Sequence, residues 1–207
     1  MLCCAPCSSR IPNSYPSHRF NSIMQNTTGN LDHKASVSYA SKVAIGQALA
    51  SFGARAVTLT TVARTKPADS RAIVKTITGT QSQSGQTPTN HEWFLGNRTL
   101  RLHSALLLLM YAAYREKHEP LPDAHGIAFT LSYNNYLGVC RGKALISPER
   151  FALLAGSGFS IGWRDIPRGG ASKFPHDNVK VLRCRKCRIP HLIEAHFRSH
   201  TCTECLN

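Results

Sequence analysis

The chain has 207 residues, 42% of them hydrophobic, which suffices for one sizeable core with a small appended module. Lys and Arg number 25 against 11 Asp and Glu, a formal net charge of +14 that gathers phosphate and points to nucleic acid as partner. The same composition argues against paired-carboxylate catalysis, and against a membrane-spanning helix, because the longest apolar run, Ala105–Tyr114, is about half of what a bilayer requires.

Residues 1–35 read as a poorly ordered N-terminal extension, rich in Ser, Asn, Pro and Cys, with Asp32 the first acidic residue. No positively charged start is followed by an apolar stretch, so no secretory signal is expected. A transit peptide is also disfavoured, since only Arg10 and Arg19 precede Asp32 and no amphipathic pattern accompanies them. The eight cysteines are therefore expected as thiols or metal ligands in a reducing, cytoplasmic setting, with Cys3, Cys4 and Cys7 as ordinary thiols.

A helical core is expected over residues 36–155. From Ser36 to Ala63, Val43, Ile45, Leu49, Phe52, Ala56 and Leu59 recur at helical spacing and predict one amphipathic helix with a skipped turn. A second helix is expected from Ser70 to Thr78, capped by Asp69 or Ser70 and stopped by Gly79. Together residues 59–78 read as a helix-turn-helix, with Ala63 in the first helix, Pro67 in the turn, and Ile73 and Ile77 facing the core. Two departures stand out: the turn lacks its usual glycine, and Lys66 fills a slot that is normally apolar. Arg64, Lys66, Arg71 and Lys75 are then candidates for DNA contacts, to phosphates or to base edges.

Residues 79–92 read as a loop. Leu95–Tyr114 predicts a long buried helix, and Trp93 and Phe94 just before it read as core anchors. Ile127–Val139 is ambiguous, although Tyr133, Tyr136 and Leu137 would share a helical face. Pro148–Gly156 opens like a helix, with Ser147 as N-cap and Pro148 in the first turn. Residues 156–181, rich in Gly and Pro, read as an irregular linker.

The C-terminal residues 182–207 carry the strongest signal. Cys184-Arg-Lys-Cys187 and Cys202-Thr-Glu-Cys205 stand fourteen residues apart, and two such knuckles can bring four sulfurs to the corners of a tetrahedron. One structural Zn2+ per chain is expected, because a filled four-sulfur shell leaves no open position for water or substrate. His191, His196 and His200 lie between the knuckles. A Cys2His2 set using His196 and His200 would strand two cysteines, so all-cysteine ligation is preferred. Lys180, Arg183, Arg185, Lys186, Arg188 and Arg198 face only Glu194 and Glu204. Arg183, Arg185, Lys186 and Arg188 are further candidates for DNA contact, although nearby cations also offset the roughly −2 charge of a four-thiolate zinc centre. The fold class expected is mainly α, a helical core with a C-terminal Cys4 zinc-ribbon-like module.

Enzymatic signatures are missing. A zinc deaminase needs His-x-Glu upstream of Pro-Cys-x-x-Cys, whereas this chain has no His-x-Glu and carries Arg183 before Cys184. No His-Glu-x-x-His and no phosphate-cradling glycine loop occurs. The chain is expected not to be an enzyme.

Over residues 40–207 the sequence resembles the flagellar transcriptional regulator FlhC family. The likeness begins at Gly53-Ala54-Arg55 and includes Lys75 and Ile77. It is most specific in the loop, where Gly79, Gly85, Pro88 and Trp93-Phe94 follow the spacing G-x5-G-x2-P-x4-W-F. His103-Ser104-Ala105, the stretch Arg150–Gly158 and the two Cys-x-x-Cys pairs also match. The chain departs by its N-terminal lead-in, by Ile161–Val181, and by a shorter stretch between the knuckles. The resemblance implies a mainly helical protein with zinc on four cysteines. It also implies assembly with an FlhD-like subunit on double-stranded DNA at flagellar promoters, and recruitment of RNA polymerase. The readings left open beside it are a zinc-ribbon RNA-binding protein and a structural interaction protein.

Overall fold

A computed structural model of the chain describes residues 33–158, 168–173 and 178–206. Cys3, Cys4, Cys7 and the N-terminal extension up to residue 32 lie outside these described residues. The helices in chain order are α1 (His33–Ser51), α2 (Ala56–Val62), α3 (Pro67–Thr78), α4 (Arg98–Lys117), α5 (Ala124–Cys140), α6 (Pro148–Gly158) and α7 (Thr203–Leu206), with a 3-10 turn at Glu92–Leu95. Three short antiparallel strands, β1 (Ala171–Lys173), β2 (Val179–Arg183) and β3 (Pro190–Glu194), form a sheet in that order. The protein is mainly helical, as expected.

The single helix expected over Ser36–Ala63 is two helices. Gly53, at φ 83°, ends α1 in a left-handed turn. Its N–H bonds to Ala50 O at 2.9 Å and the Ala54 N–H to Leu49 O at 3.0 Å, the paired closure of a Schellman motif. The apolar spacing hid this break because α1 and α2 bury their faces in the same core, through Ile45 and Leu49 on one side and Leu59 and Val62 on the other.

The helix expected to begin at Ser70 starts at Pro67, whose missing N–H is harmless in a first turn, and ends at the left-handed Gly79 as anticipated. Asp69 does not cap it, and Ser70 is buried within it. The expected Leu95–Tyr114 helix begins at Arg98, because Asn97 accepts the Leu100 N–H at 2.8 Å and sets the N-cap. The ambiguous stretch is helical as α5, with Tyr133 and Tyr136 buried and Leu137 half-buried against the core. At α6, Ser147 Oγ accepts the Arg150 N–H at 3.4 Å, and Pro148 opens the helix as read.

The core lies between α4, α5 and α6, where Leu107, Leu108, Tyr111, Phe129, Tyr133, Tyr136, Phe151 and Leu154 are buried. Phe129 and Phe151 pack in a tilted pair with ring centroids 4.2 Å apart. Gly126 lets α5 approach α1 and α2 closely: a Cβ there would stand 3.0 Å from Ile45 Cδ1 and 3.3 Å from Val62 O. Phe94 is buried, and Trp93 is half-buried beneath the Arg150 guanidinium, 3.7 Å above its ring. Both therefore serve as the anchors expected of them.

The stretch expected to be an irregular linker carries β1 and the start of β2. Val181 pairs with Leu192 and Leu182 with His191, so successive residues alternate between two faces. Val179, Val181 and Leu192 join the helical core, and α4 lies against β3. Leu182 and Ile193, on the opposite face, pack against the C-terminal cysteines. One sheet thus serves two apolar clusters within the unit that runs from Ser36 to Asn207. No helix among the described residues is long and apolar enough to cross a membrane.

Candidate metal centre and basic surfaces

Cys184 follows β2 directly, Cys187 lies in the turn towards β3, and Cys202 and Cys205 flank the start of α7. The first knuckle is closed by Arg188 N–H to Cys184 O at 3.0 Å and Cys184 N–H to Ile189 O at 3.2 Å. In the second, the N–H groups of Cys205 and Leu206 donate to Cys202 O at 3.0 and 3.2 Å. The Arg185 N–H donates to His200 O at 3.0 Å and ties one knuckle to the other.

These turns bring the four sulfurs within 4.8 Å of one another, with Cys187 Sγ and Cys202 Sγ 3.9 Å apart. Tetrahedral zinc with Zn–S bonds near 2.3 Å requires sulfurs roughly 3.8 Å apart. All four are free thiols; Cys184 and Cys202 are buried, and Cys187 and Cys205 half-buried. The four cysteines could therefore hold a metal ion.

The sulfurs are not equivalent. Burial opposes ionisation of Cys184, but backbone N–H groups of Cys202, Cys187 and Lys186 outweigh it and bring its pKa down to about 6. The Cys202 N–H lies 3.4 Å from that sulfur. Burial first, and neighbouring thiols after it, push Cys187 and Cys202 up. A divalent cation would even out such a set by displacing the remaining protons.

The histidines take other parts. His191 is buried on β3 with Nε2 3.4 Å from Cys187 Sγ, a nitrogen beside the sulfur set rather than a member of it. His196 is exposed and meets Glu194 at 2.9 Å, while His200 Nδ1 lies 2.6 Å from Gly169 O. The Cys2His2 alternative is not formed. His191 was visible in the sequence only as one of three histidines between the knuckles; its strand position is what turns it inward.

Around the knuckles, the cations differ in availability. Arg185 and Arg188 are exposed, whereas Arg183 is half-buried at the end of β2. Lys186 Nζ donates to Cys205 O at 2.9 Å and Lys180 Nζ to Phe197 O at 2.6 Å. Both lysines therefore brace the module's backbone.

The second basic surface is the helix pair α2 and α3, joined by residues 63–66. Ala63 caps α2 and Pro67 is the first residue of α3, so the turn is Ala63-Arg64-Thr65-Lys66. Ile77, expected in the core, is 42% exposed, and Val74 takes the buried position one turn earlier. Ile73 is half-buried as a core-facing residue. Where such pairs normally cross on apolar residues, this one uses hydroxyls. Ser70 Oγ lies 2.8 Å from Thr60 Oγ1 and 2.7 Å from Thr65 Oγ1, and donates to Lys66 O at 3.0 Å. Sequence reading missed this cluster, because Thr and Ser near a turn signal caps rather than a buried crossing.

Arg64, Lys66, Arg71 and Lys75 are all exposed. Arg71 and Lys75, one turn apart on α3, line a shallow notch of about 280 Å³ with Ala72, Gln81 and Ser82. The loop forming its far wall is pinned. Ser82 Oγ accepts the Ala56 N–H at 2.9 Å, and the Arg55 guanidinium donates to Gly85 O and Gln86 O at 3.2 and 3.4 Å.

No protein-family model matches the chain, and no curated protein does.

Proposed function

We propose that the chain is a DNA-binding subunit of a bacterial transcription activator complex, acting with an FlhD-like partner on flagellar-type promoters, with a structural Zn2+ on Cys184, Cys187, Cys202 and Cys205. The observation that carries DNA binding is the α2–turn–α3 pair with Arg64, Lys66, Arg71 and Lys75 exposed on a chain of net charge +14. In this reading α3 enters the major groove, and Arg71 and Lys75 meet phosphates or base edges. Zinc is favoured by the donor set, since four thiolates at tetrahedral separation select zinc or an iron–sulfur centre, and iron–sulfur ligands are usually spaced differently. The ion supplies folding energy and no reaction, because the shell has no open position. The flagellar role, the FlhD-like partner and the recruitment of RNA polymerase rest on the sequence resemblance.

A gel shift on promoter duplex, with and without the FlhD-like subunit, tests the reading. Retardation that survives competition by generic duplex is the expected result. No shift at low salt with the partner present removes it, and equal binding to structured RNA and unrelated duplex moves the protein to the RNA-binding alternative. Metal content by mass spectrometry on the native chain and on Cys202→Ser/Cys205→Ser tests the centre; equal zinc in both would overturn it.

A further inference from the structure

Among the described residues, three that are not glycine have positive φ, and all three are arginines: Arg64 at 56°, Arg141 at 45° and Arg188 at 63°. Left-handed backbone crowds any Cβ, and glycine is the least strained residue at such turns. This chain uses glycine for the purpose at Gly53, Gly79 and Gly142. The three arginines occupy the turn between α2 and α3, the end of α5, and the position after Cys187 in the first knuckle. Each side chain is exposed. None of the three shares an ion pair with another described residue, unlike Arg55 with Glu149 or Arg98 with Glu204. Among the described residues, neither burial nor an ion pair accounts for an arginine at positions 64 and 141, whereas at 188 the thiolates of a filled centre would supply a charge to offset. Strained residues persist where the side chain is used, and a guanidinium, always charged and with five donors in a fork, matches phosphate.

We infer that Arg141, with Lys143 two residues on, is a nucleic-acid phosphate contact at the end of α5, completing with Arg64 and Arg188 a set of three phosphate anchors mounted on turns. The inference rests on the nucleic-acid reading above and adds a site to it. The backbone at Arg141 is held from both sides. Its N–H donates to Leu137 O at 3.1 Å, and Lys143 N–H donates to Cys140 O at 2.9 Å. Just beyond, Tyr136 Oη accepts the N–H groups of Leu145 and Ile146 at 3.0 and 3.1 Å. The backbone that carries the guanidinium is therefore already ordered, and only its side chain is left to order on meeting an anion. Arg64 lies at the other end of α5, where its charge acts on His125. The 17 residues of α5 separate the two ends by about 25 Å, the length of roughly seven base pairs of duplex. A duplex of ordinary length is long enough to span both. The competing role for Arg141 is to offset the carbonyl end of α5, which affects stability and not binding.

Replacing each arginine with glycine separates the two roles, since glycine suits the backbone and removes the charge. Arg64→Gly, Arg141→Gly and Arg188→Gly are made in the full chain. Binding to a mixed-sequence 25-base-pair duplex is followed by anisotropy across a salt series, alone and with the FlhD-like subunit, beside a thermal melt. Each variant is expected to melt no lower than the native chain, to bind about tenfold more weakly, and to lose about 0.9 from the slope of log K against log salt. Native chain that binds while Arg141→Gly keeps the same affinity and slope overturns the Arg141 contact and leaves the nucleic-acid reading intact; a lowered melting temperature in that case assigns Arg141 to the helix end. Native chain that binds no duplex in either setting removes both.

Discussion

Removing the proposed metal tests how far the cysteine centre supports the rest of the molecule. The perturbation is chelation, or Cys202→Ser/Cys205→Ser. The sheet between the knuckles and the helices has two faces, so losing the centre releases more than a tail. Val179, Val181 and Leu192, buried to 0%, 3% and 1% exposure, face the helical core from that sheet. At about 1.5–3 kcal/mol per buried side chain, freeing them costs the core about 5–9 kcal/mol, an upper figure because an unfolded chain hides part of this surface already. A loss of that size lowers the melting temperature of a domain of this length by more than about 10 °C. Far-UV circular dichroism of helix content during heating, with and without chelator, is the assay. A single transition that moves down as a whole is expected. A helix melt unchanged by chelation, with only thiol reactivity altered, would refute the claim that the sheet couples the two clusters.

Three further outcomes follow from the geometry. Burial, then the charges of Arg115 and Arg64, hold His125 down at about 4, so between that value and its ordinary 6.5 the unfolded chain binds the extra proton. Stability is then complete above pH 6.5 and falls by about 3 kcal/mol as the pH drops to 4. Denaturant titrations should show this slope reduced in His125→Gln, and an identical slope in the variant would contradict it. Gly126→Val is expected to destabilise by about 2 kcal/mol or more, since its Cβ must fit 3.0 Å from Ile45 and 3.3 Å from Val62 O; a urea midpoint equal to the native one would show that α1 yields there. In the proposed DNA complex, Arg71→Ala/Lys75→Ala should lower the salt slope by about 1.8, and an unchanged slope would place the surface elsewhere.

Much of the fold was legible because helix ends here are chemical. Gly79, Ser147 with Pro148, and the Trp93-Phe94 anchor behave as their residue types dictate. The gathering of the four cysteine sulfurs was fully legible, since two knuckles with equal internal spacing have few other uses. What escaped reading depended on tertiary context. The break at Gly53 was masked by apolar spacing that continues across it, as two helices share one core. Strands β1 and β2 were hidden in and at the end of a Gly/Pro-rich stretch because both are short and their alternation is brief. The turn between α2 and α3 was only half readable, since Arg64 stands where glycine is usual and a hydroxyl cluster replaces the expected apolar crossing. Ile77 misled for the opposite reason: it has the right type and spacing for burial, but α3 turns Val74 inward instead.

The two basic surfaces are unequal in what they can offer a polyanion. A four-thiolate centre around a divalent ion carries a net charge of about −2 and must itself be offset. Near the knuckles Lys186 and Lys180 are bound to carbonyls, and Arg183 is half-buried. Arg185 and Arg188 remain exposed, each next in sequence to a cysteine whose charge it would offset in a filled centre. On α2 and α3 no such debt exists. Arg64, Lys66, Arg71 and Lys75 are exposed, and the nearest acid on that helix, Asp69, meets the Tyr39 hydroxyl at 3.4 Å instead. In the proposed complex the helix pair should therefore contribute more counterion release than the cysteine module. The module's larger contribution is mechanical: its sheet presses on α4 and sets the frame from which α2 and α3 are presented.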